Sequence, residues 1–188
     1  MKKALSLFFS STRQTPKLPN SQTPQLPDPK TPKLSLRPIQ PSDDTKLLDL
    51  YYRLSPQSLY NRFFTIPKPD PDYAAYLANV DAINHVALIG EIDDKIVAVG
   101  RFVRKDDAPD VAEASFTVAD AWQGKGLGSL MLERLATLAR QQGIRVFECQ
   151  VLAENHRMMK MLARSGLAME KQLEAGFFLV RLIISSRR

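Results

Sequence analysis

The spacing of apolar residues changes several times between residue 34 and the C-terminus, and each change marks an element. Val111–Val118 alternates: Ala112, Ala114, Phe116 and Val118 fall on one face, and Glu113, Ser115 and Thr117 on the other. That is the period of a strand. The spacing then becomes helical, with Leu127, Leu130, Met131, Leu135, Leu138 and Ala139 forming one stripe over 127–142 before a stop at Gly143. A further apolar run at 145–151 predicts another strand. Strand, helix, strand in this order implies a right-handed crossover and a parallel strand pair.

Upstream, 34–39 reads as a strand ended by Pro41 and 43–53 as a helix. Residues 56–63 form a second predicted helix, with Ser55 as its cap and Pro56 in its first position. Residues 70–78 predict a third. Strands over 85–92 and 95–104, joined by a tight turn at Asp93-Asp94, make an antiparallel hairpin. A short helix opened by Asn155 and ended by Gly166, then strands over 168–172 and 176–184, finish the chain.

The first 33 residues differ in kind. They hold six of the 13 prolines and no glycine, and Thr15-Pro16-Lys17-Leu18, Thr23-Pro24-Gln25-Leu26 and Thr31-Pro32-Lys33-Leu34 recur every eight residues. Such a composition cannot build a core and is expected to stay disordered. It reads as a spacer or as a basic tether for acidic protein, RNA or membrane surfaces. The charge agrees with this division. Of the net +6, all of it lies in residues 1–42, with seven Lys/Arg against one Asp; residues 43–188 balance at 19 of each sign. The folded part, expected over 34–188, therefore carries no bias toward nucleic acid.

Composition removes several further classes. The opening Met1-Lys2-Lys3 followed by about six apolar residues falls short of the ~7–15 of a secretory leader. Apolar runs are too short to span a bilayer, so no membrane insertion is expected. A single cysteine, Cys149, excludes an internal disulfide and fits a reducing, cytoplasmic setting. Cys149, His85 and His156 show no metal-ligand spacing, so no metal is expected.

The richest six residues are Gln123-Gly124-Lys125-Gly126-Leu127-Gly128, between the alternating strand and the long helix. Glycines there allow strained backbone and close approach, and a helix N-terminus adds N–H donors and partial positive charge. A phosphate or pyrophosphate is the natural guest. The spacing fails the Walker A pattern, because Ser129 and Leu130 follow Gly128, and fails the dinucleotide fingerprint, because Ser129 stands at the third glycine.

What remains, Gln-x-x-Gly-x-Gly, resembles the acetyl-CoA pyrophosphate signature of the GNAT N-acetyltransferase superfamily. The element order from Leu34 onward is similar to that family too. The resemblance implies an α/β (α+β) fold: a mixed, mostly antiparallel sheet of six to seven strands flanked by helices, with a β-α-β cofactor-binding core. Arg37-Pro38-Ile39-x-Pro41-x-Asp43 and Leu54-Ser55-Pro56-x-Ser58-x-Tyr60-x-Arg62-Phe63-Phe64 further resemble the acetyltransferase domain of bacterial Pat-type protein lysine acetyltransferases. Members of that group often carry an acyl-CoA-synthetase-like or cyclic-nucleotide-binding domain as well, and 188 residues leave room for neither.

The resemblance implies acetyl-CoA as cosubstrate. Phe116, Thr117 and Val118 would line pantetheine, and Gln123, Gly124, Lys125, Gly126, Leu127, Gly128 and Ser129 would hold the pyrophosphate. Asn155 and Arg157 would complete the cofactor site. Glu113 matches the Pat-type catalytic glutamate. It lies five residues, about 16 Å of strand, before Val118, the scale of a pantetheine arm. A partly buried Glu113 is the expected general base. The family's thiolate-protonating tyrosine is replaced by Leu162. Met158, Met159 and Met161 read as core filler. Three functions stay open on these residues: acetylation of protein lysines, acetylation of a small amine, and a non-catalytic acetyl-CoA sensor.

Overall fold

The computed structural model describes residues 33–185, so the segment expected to be disordered lies outside the described residues apart from Lys33. The strands are β1 (Ser35–Pro38), β2 (His85–Ile92), β3 (Lys95–Arg104), β4 (Val111–Val118), β5 (Val146–Leu152), β6 (Ala168–Glu174) and β7 (Phe177–Ile183). The helices are α1 (Asp44–Arg53), α2 (Pro56–Phe63), α3 (Pro71–Ala78), α4 (Leu127–Gln141) and α5 (His156–Ala163). The strands form one sheet in the order β1-β2-β3-β4-β5-β7-β6. Only β4 and β5 run parallel; every other neighbour is antiparallel.

Local chemistry explains most of the boundaries. Asp93 and Asp94 both take positive φ, 48° and 63°. That pair of left-handed residues matches the twist of a two-residue hairpin, so β2 turns straight into β3. β3 lies between β2 and β4 and is buried from Ile96 to Phe102. The Ser55 hydroxyl accepts from the Ser58 N–H at 3.2 Å and starts α2 where the sequence predicts it.

On α4 the buried residues are Leu127, Met131, Leu132, Leu135, Ala136 and Ala139. Leu132 and Ala136 thus replace the expected Leu130 and Leu138, which are half-buried. The helix is rotated by a fraction of a turn, because α4 packs across β2, β3 and β4 rather than along one strand.

Ahead of α1, a single 3-10 turn (Pro41–Asp43) carries an ion pair that belongs to the Pat-like motif. Both Arg37 Nη atoms donate to Asp43, at 2.7 and 2.8 Å, and the Gln40 N–H donates to the same carboxylate at 2.8 Å. Asp43 is buried. The first half of that motif is therefore a structural clamp holding β1 to α1. Asp43→Ala is expected to destabilise the fold by about 2–4 kcal/mol at pH 7, since removing one partner of a largely buried pair strands the other. The Arg37 guanidinium holds the Asp43 carboxyl below the usual carboxylate range. The pair's contribution is then complete above the unfolded value near ~3.9, and is lost as pH falls through the lower folded value. Urea melts of wild type and variant should differ at pH 7, and the difference should shrink as pH falls below the ordinary carboxylate range.

Candidate active site

β4 and β5 pair at only three positions, Val111 with Val146, Ala112 with Phe147 and Glu113 with Glu148. Beyond Glu113 the two strands part. The Ala119 N–H bonds to the Val97 carbonyl on β3 at 2.8 Å. Strand alternation then turns the backbone edges of Val118 and Phe116 away from β3, toward the gap. The Val118 carbonyl indeed accepts from the Gln123 side chain at 2.9 Å rather than from a strand. A cavity of about 820 Å³ fills the parted region. Its walls come from β4, β5, α2, α5 and the glycine loop.

Phe116 projects toward α4, packing over Gly100 beside Met131. Thr117 is buried, although the alternation placed it on the polar face; with 7% exposure it belongs to the wall rather than to solvent. The loop is built by backbone. After a 3-10 turn (Asp120–Trp122), Gly124 and Gly126 take φ of 76° and 86°, and Gly126 caps α4. Among the described residues no carbonyl accepts from the N–H groups of 124–129. A row of free donors at a helix N-terminus suits an anionic group.

The predicted side chains do not all converge here. Gln123, Gly124, Gly126, Gly128 and Ser129 line the cavity, as do Glu113 and the β4 residues Phe116, Thr117 and Val118. Asn155 and Arg157 line it as well. Two do not. The Lys125 ammonium sits 4.7 Å from the Trp122 ring centroid, a cation–π contact that takes it off the cavity wall. The Leu127 side chain is core, leaving only its N–H to serve the loop. Asn155 accepts from the Met158 N–H at 3.0 Å and so caps α5 from the cavity wall. Met158, Met159 and Met161 are half-buried and pack against the core as expected; Met158 and Met161 also line the cavity, and Met161 lies under Gly128. Leu162 is fully buried, so the missing tyrosine leaves no polar group at that place.

Sequence reasoning missed the clamp that closes the far wall. The Asp120 carboxylate accepts from the Ser55 N–H at 2.9 Å, the Ser55 hydroxyl at 2.8 Å and the Ser58 hydroxyl at 2.7 Å. Burial pushes the Asp120 carboxyl up, but these donors outweigh it and hold it below the usual carboxylate range. Gln123 Nε2 also donates to the Ser58 hydroxyl, at 3.0 Å, and Arg157 donates to Gln123 Oε1. One network therefore ties α2, the glycine loop and α5 together. At the other end of α2, Phe64 takes a left-handed φ of 58° and meets Phe177 edge-on, 4.9 Å between centroids. Lys160 and Arg164 join Arg157 on the cavity side of the α5 segment, a cationic rim. The only sequence signal for the clamp was the Ser55-Pro56-x-Ser58 string.

Glu113 stands where β4 and β5 separate. It is exposed, not partly buried as expected, and it opens into the cavity. Among the described residues no three His, Cys, Asp or Glu side chains group as a metal site, and no helix is long and apolar enough to cross a membrane.

Comparison with known proteins settles the family. Residues 54–167 match the model of the acetyltransferase (GNAT) family. The chain belongs to the GNAT acetyltransferase family. GNAT enzymes use acetyl-CoA, and the free donors, the parted strands and the cationic rim fit that cosubstrate. This GNAT chain is 34% identical over 134 residues to acetyltransferase Pat of Mycolicibacterium smegmatis, a match covering 70% of the chain and 40% of that relative. It thus spans well under half of the relative's length. The GNAT domain of S. lividans PAT superposes with a TM-score of 0.69 at 33% identity, covering 78% of this chain and 87% of that one. YncA of Salmonella typhimurium, solved with its cofactor acetyl-CoA, shares the fold at a TM-score of 0.67 and 19% identity, over 83% of this chain and 96% of that one.

Proposed function

We propose that this N-acetyltransferase moves the acetyl group from acetyl-CoA to the ε-amine of protein lysines, in the cytoplasm, with Glu113 as general base. The observation that carries the reading is the position of Glu113: it opens into the cavity at the point where β4 and β5 part, about one pantetheine length from the glycine loop. The 34% identity to an acetyltransferase Pat favours a protein acceptor.

A lysine amine has a pKa near ~10.4, so at pH 7 only about one in 2,500 is neutral. Glu113 takes the amine proton, and the freed nitrogen lone pair attacks the thioester carbonyl. The β4 N–H edges of Phe116 and Val118 are the donors available to the pantetheine arm and to the carbonyl oxygen as it gains charge. The C–S bond then breaks, and the CoA thiolate is protonated by water or by the proton the amine has shed, since Leu162 offers none. The N–H groups of residues 124–129, with Arg157 and Asn155, hold the phosphate end.

The test is transfer of label from acetyl-CoA in a whole-cell lysate, followed by separation of protein from small molecules. Label should appear in protein, on lysine Nζ by peptide mass spectrometry. Label confined to small molecules would overturn the protein acceptor and indicate a small-amine acetyltransferase. No transfer to either fraction would overturn catalysis.

A further inference from the structure

Glu113 has a second carboxylate beside it. The last β4–β5 pair before the strands part is Glu113 with Glu148, and adjacent strands lie only about 4.8 Å apart. Two anions this close disfavour each other unless one is compensated. Compensation goes to Glu148. Lys105 Nζ lies 3.0 Å from its Oε2, and Arg181 Nε lies 3.3 Å from its Oε1. Among the described residues no cation pairs with Glu113.

Lys105 reaches Glu148 from the far side. β3 and β5 flank β4, so the Lys105 side chain, just past the end of β3, crosses β4 to make this bond. Val103 faces Glu113 in register, and alternation puts Lys105, two residues on, over the same face. The ammonium therefore passes close to Glu113 on its way to Glu148. Arg181 starts from β7, two strands from β4.

We propose that Glu148 is a positioning residue that holds Lys105 and Arg181 and so keeps Glu113 unpaired and open to the acceptor amine. This rests on the reading of Glu113 as base. The other charged groups around the junction are Asp107 in the β3–β4 loop, Glu170 opposite Arg181 on β6, and Arg62 on the cavity wall. Beneath it lies the Cys149 thiol, pushed up to about 12 by burial and by the two glutamates, so it stays neutral and competes for neither cation.

Glu148→Gln keeps the shape and removes the charge. Lys105 then turns to Glu113, the neighbouring carboxylate on its path. The acceptor kcat/KM should fall about tenfold with acetyl-CoA affinity unchanged, because a paired base is weaker and less accessible. The acid limb of the kcat/KM profile should move about one pH unit lower, since a carboxylate beside a cation stays ionised further into acid. Adding Lys105→Met removes the competing cation and should return both rate and limb to within about threefold of wild type. A Glu148→Gln variant with a lowered melting temperature, an unmoved limb and no rescue by Lys105→Met would overturn the proposal in favour of a purely structural role. A normal rate in Glu113→Gln would instead overturn the base assignment, so the two failures are distinguishable.

Discussion

Glu113→Gln is expected to lower the acetylation rate by about 10²–10⁴-fold at pH 7, the range for a lost general base. The amide keeps the size of the side chain, and Glu113 is exposed at the cavity mouth, so neither folding nor acetyl-CoA affinity should change. What changes is the supply of neutral amine. The deficit should therefore shrink as pH rises toward the acceptor's own value near ~10.4, where the amine sheds its proton unaided. Stopped-time assays across that range, with calorimetry of acetyl-CoA binding, provide the check. Near-normal rates at pH 7 would rule out the base. Water held by the Ser115 hydroxyl on the same wall would then be the next candidate. A deficit equal at all pH values would mean that Glu113 positions the acceptor instead of deprotonating it.

The glycine loop supports the second large effect, with two substitutions that separate ligand from fold. Gly126 has φ of 86° at the N-cap of α4, where any L side chain is strained by roughly 1–2 kcal/mol. Gly126→Asp adds a carboxylate among the free N–H groups as well. A like charge at pyrophosphate distance opposes binding by a few kcal/mol, so acetyl-CoA affinity should drop by at least ~100-fold. Some of that loss could reflect the fold. Gly128→Ala removes the ambiguity: Gly128 has no positive φ, and its added Cβ would rest 3.7 Å from Met161 Cγ, an ordinary contact. This variant should keep its melting temperature and still bind acetyl-CoA about tenfold more weakly, because the methyl group occupies the approach of the phosphates. Calorimetry showing wild-type affinity in folded Gly128→Ala would overturn the assignment of the loop.

Elements whose signals are local could be read from the sequence. α2 begins and ends as expected because Ser55, Pro56 and the turn at Phe64 all act within one turn of helix. The β2–β3 hairpin is equally local, set by two aspartates that tolerate left-handed backbone. The glycine loop was legible for the same reason. What escaped depends on distant partners. β6 extends to Glu174, two residues further than expected, because its exposed, polar residues owe their strand conformation to pairing with β7 and not to a hydrophobic pattern. The Asp120 clamp joins residues 62 to 65 positions apart, and no periodicity reports such a bond. The contact of the Lys125 ammonium with Trp122 is likewise invisible in the sequence, which shows no ring geometry. The exposure of Glu113 follows from where β4 and β5 separate, a tertiary property.

That separation also divides the sheet into two plates, β1–β4 on one side and β5, β7 and β6 on the other, hinged on three residue pairs. A donor lying in the gap and bonding to the β4 edge takes the place of the rungs that the parallel ladder lacks. Hinge stiffness then depends on occupancy. The gap-facing amide protons of β4, those of Phe116 and Val118, should exchange slowly only while the gap is filled, whereas their neighbours stay bonded to β3 throughout. Part of the sheet's cohesion would in that case be set by the concentration of a metabolite, not by the polypeptide alone.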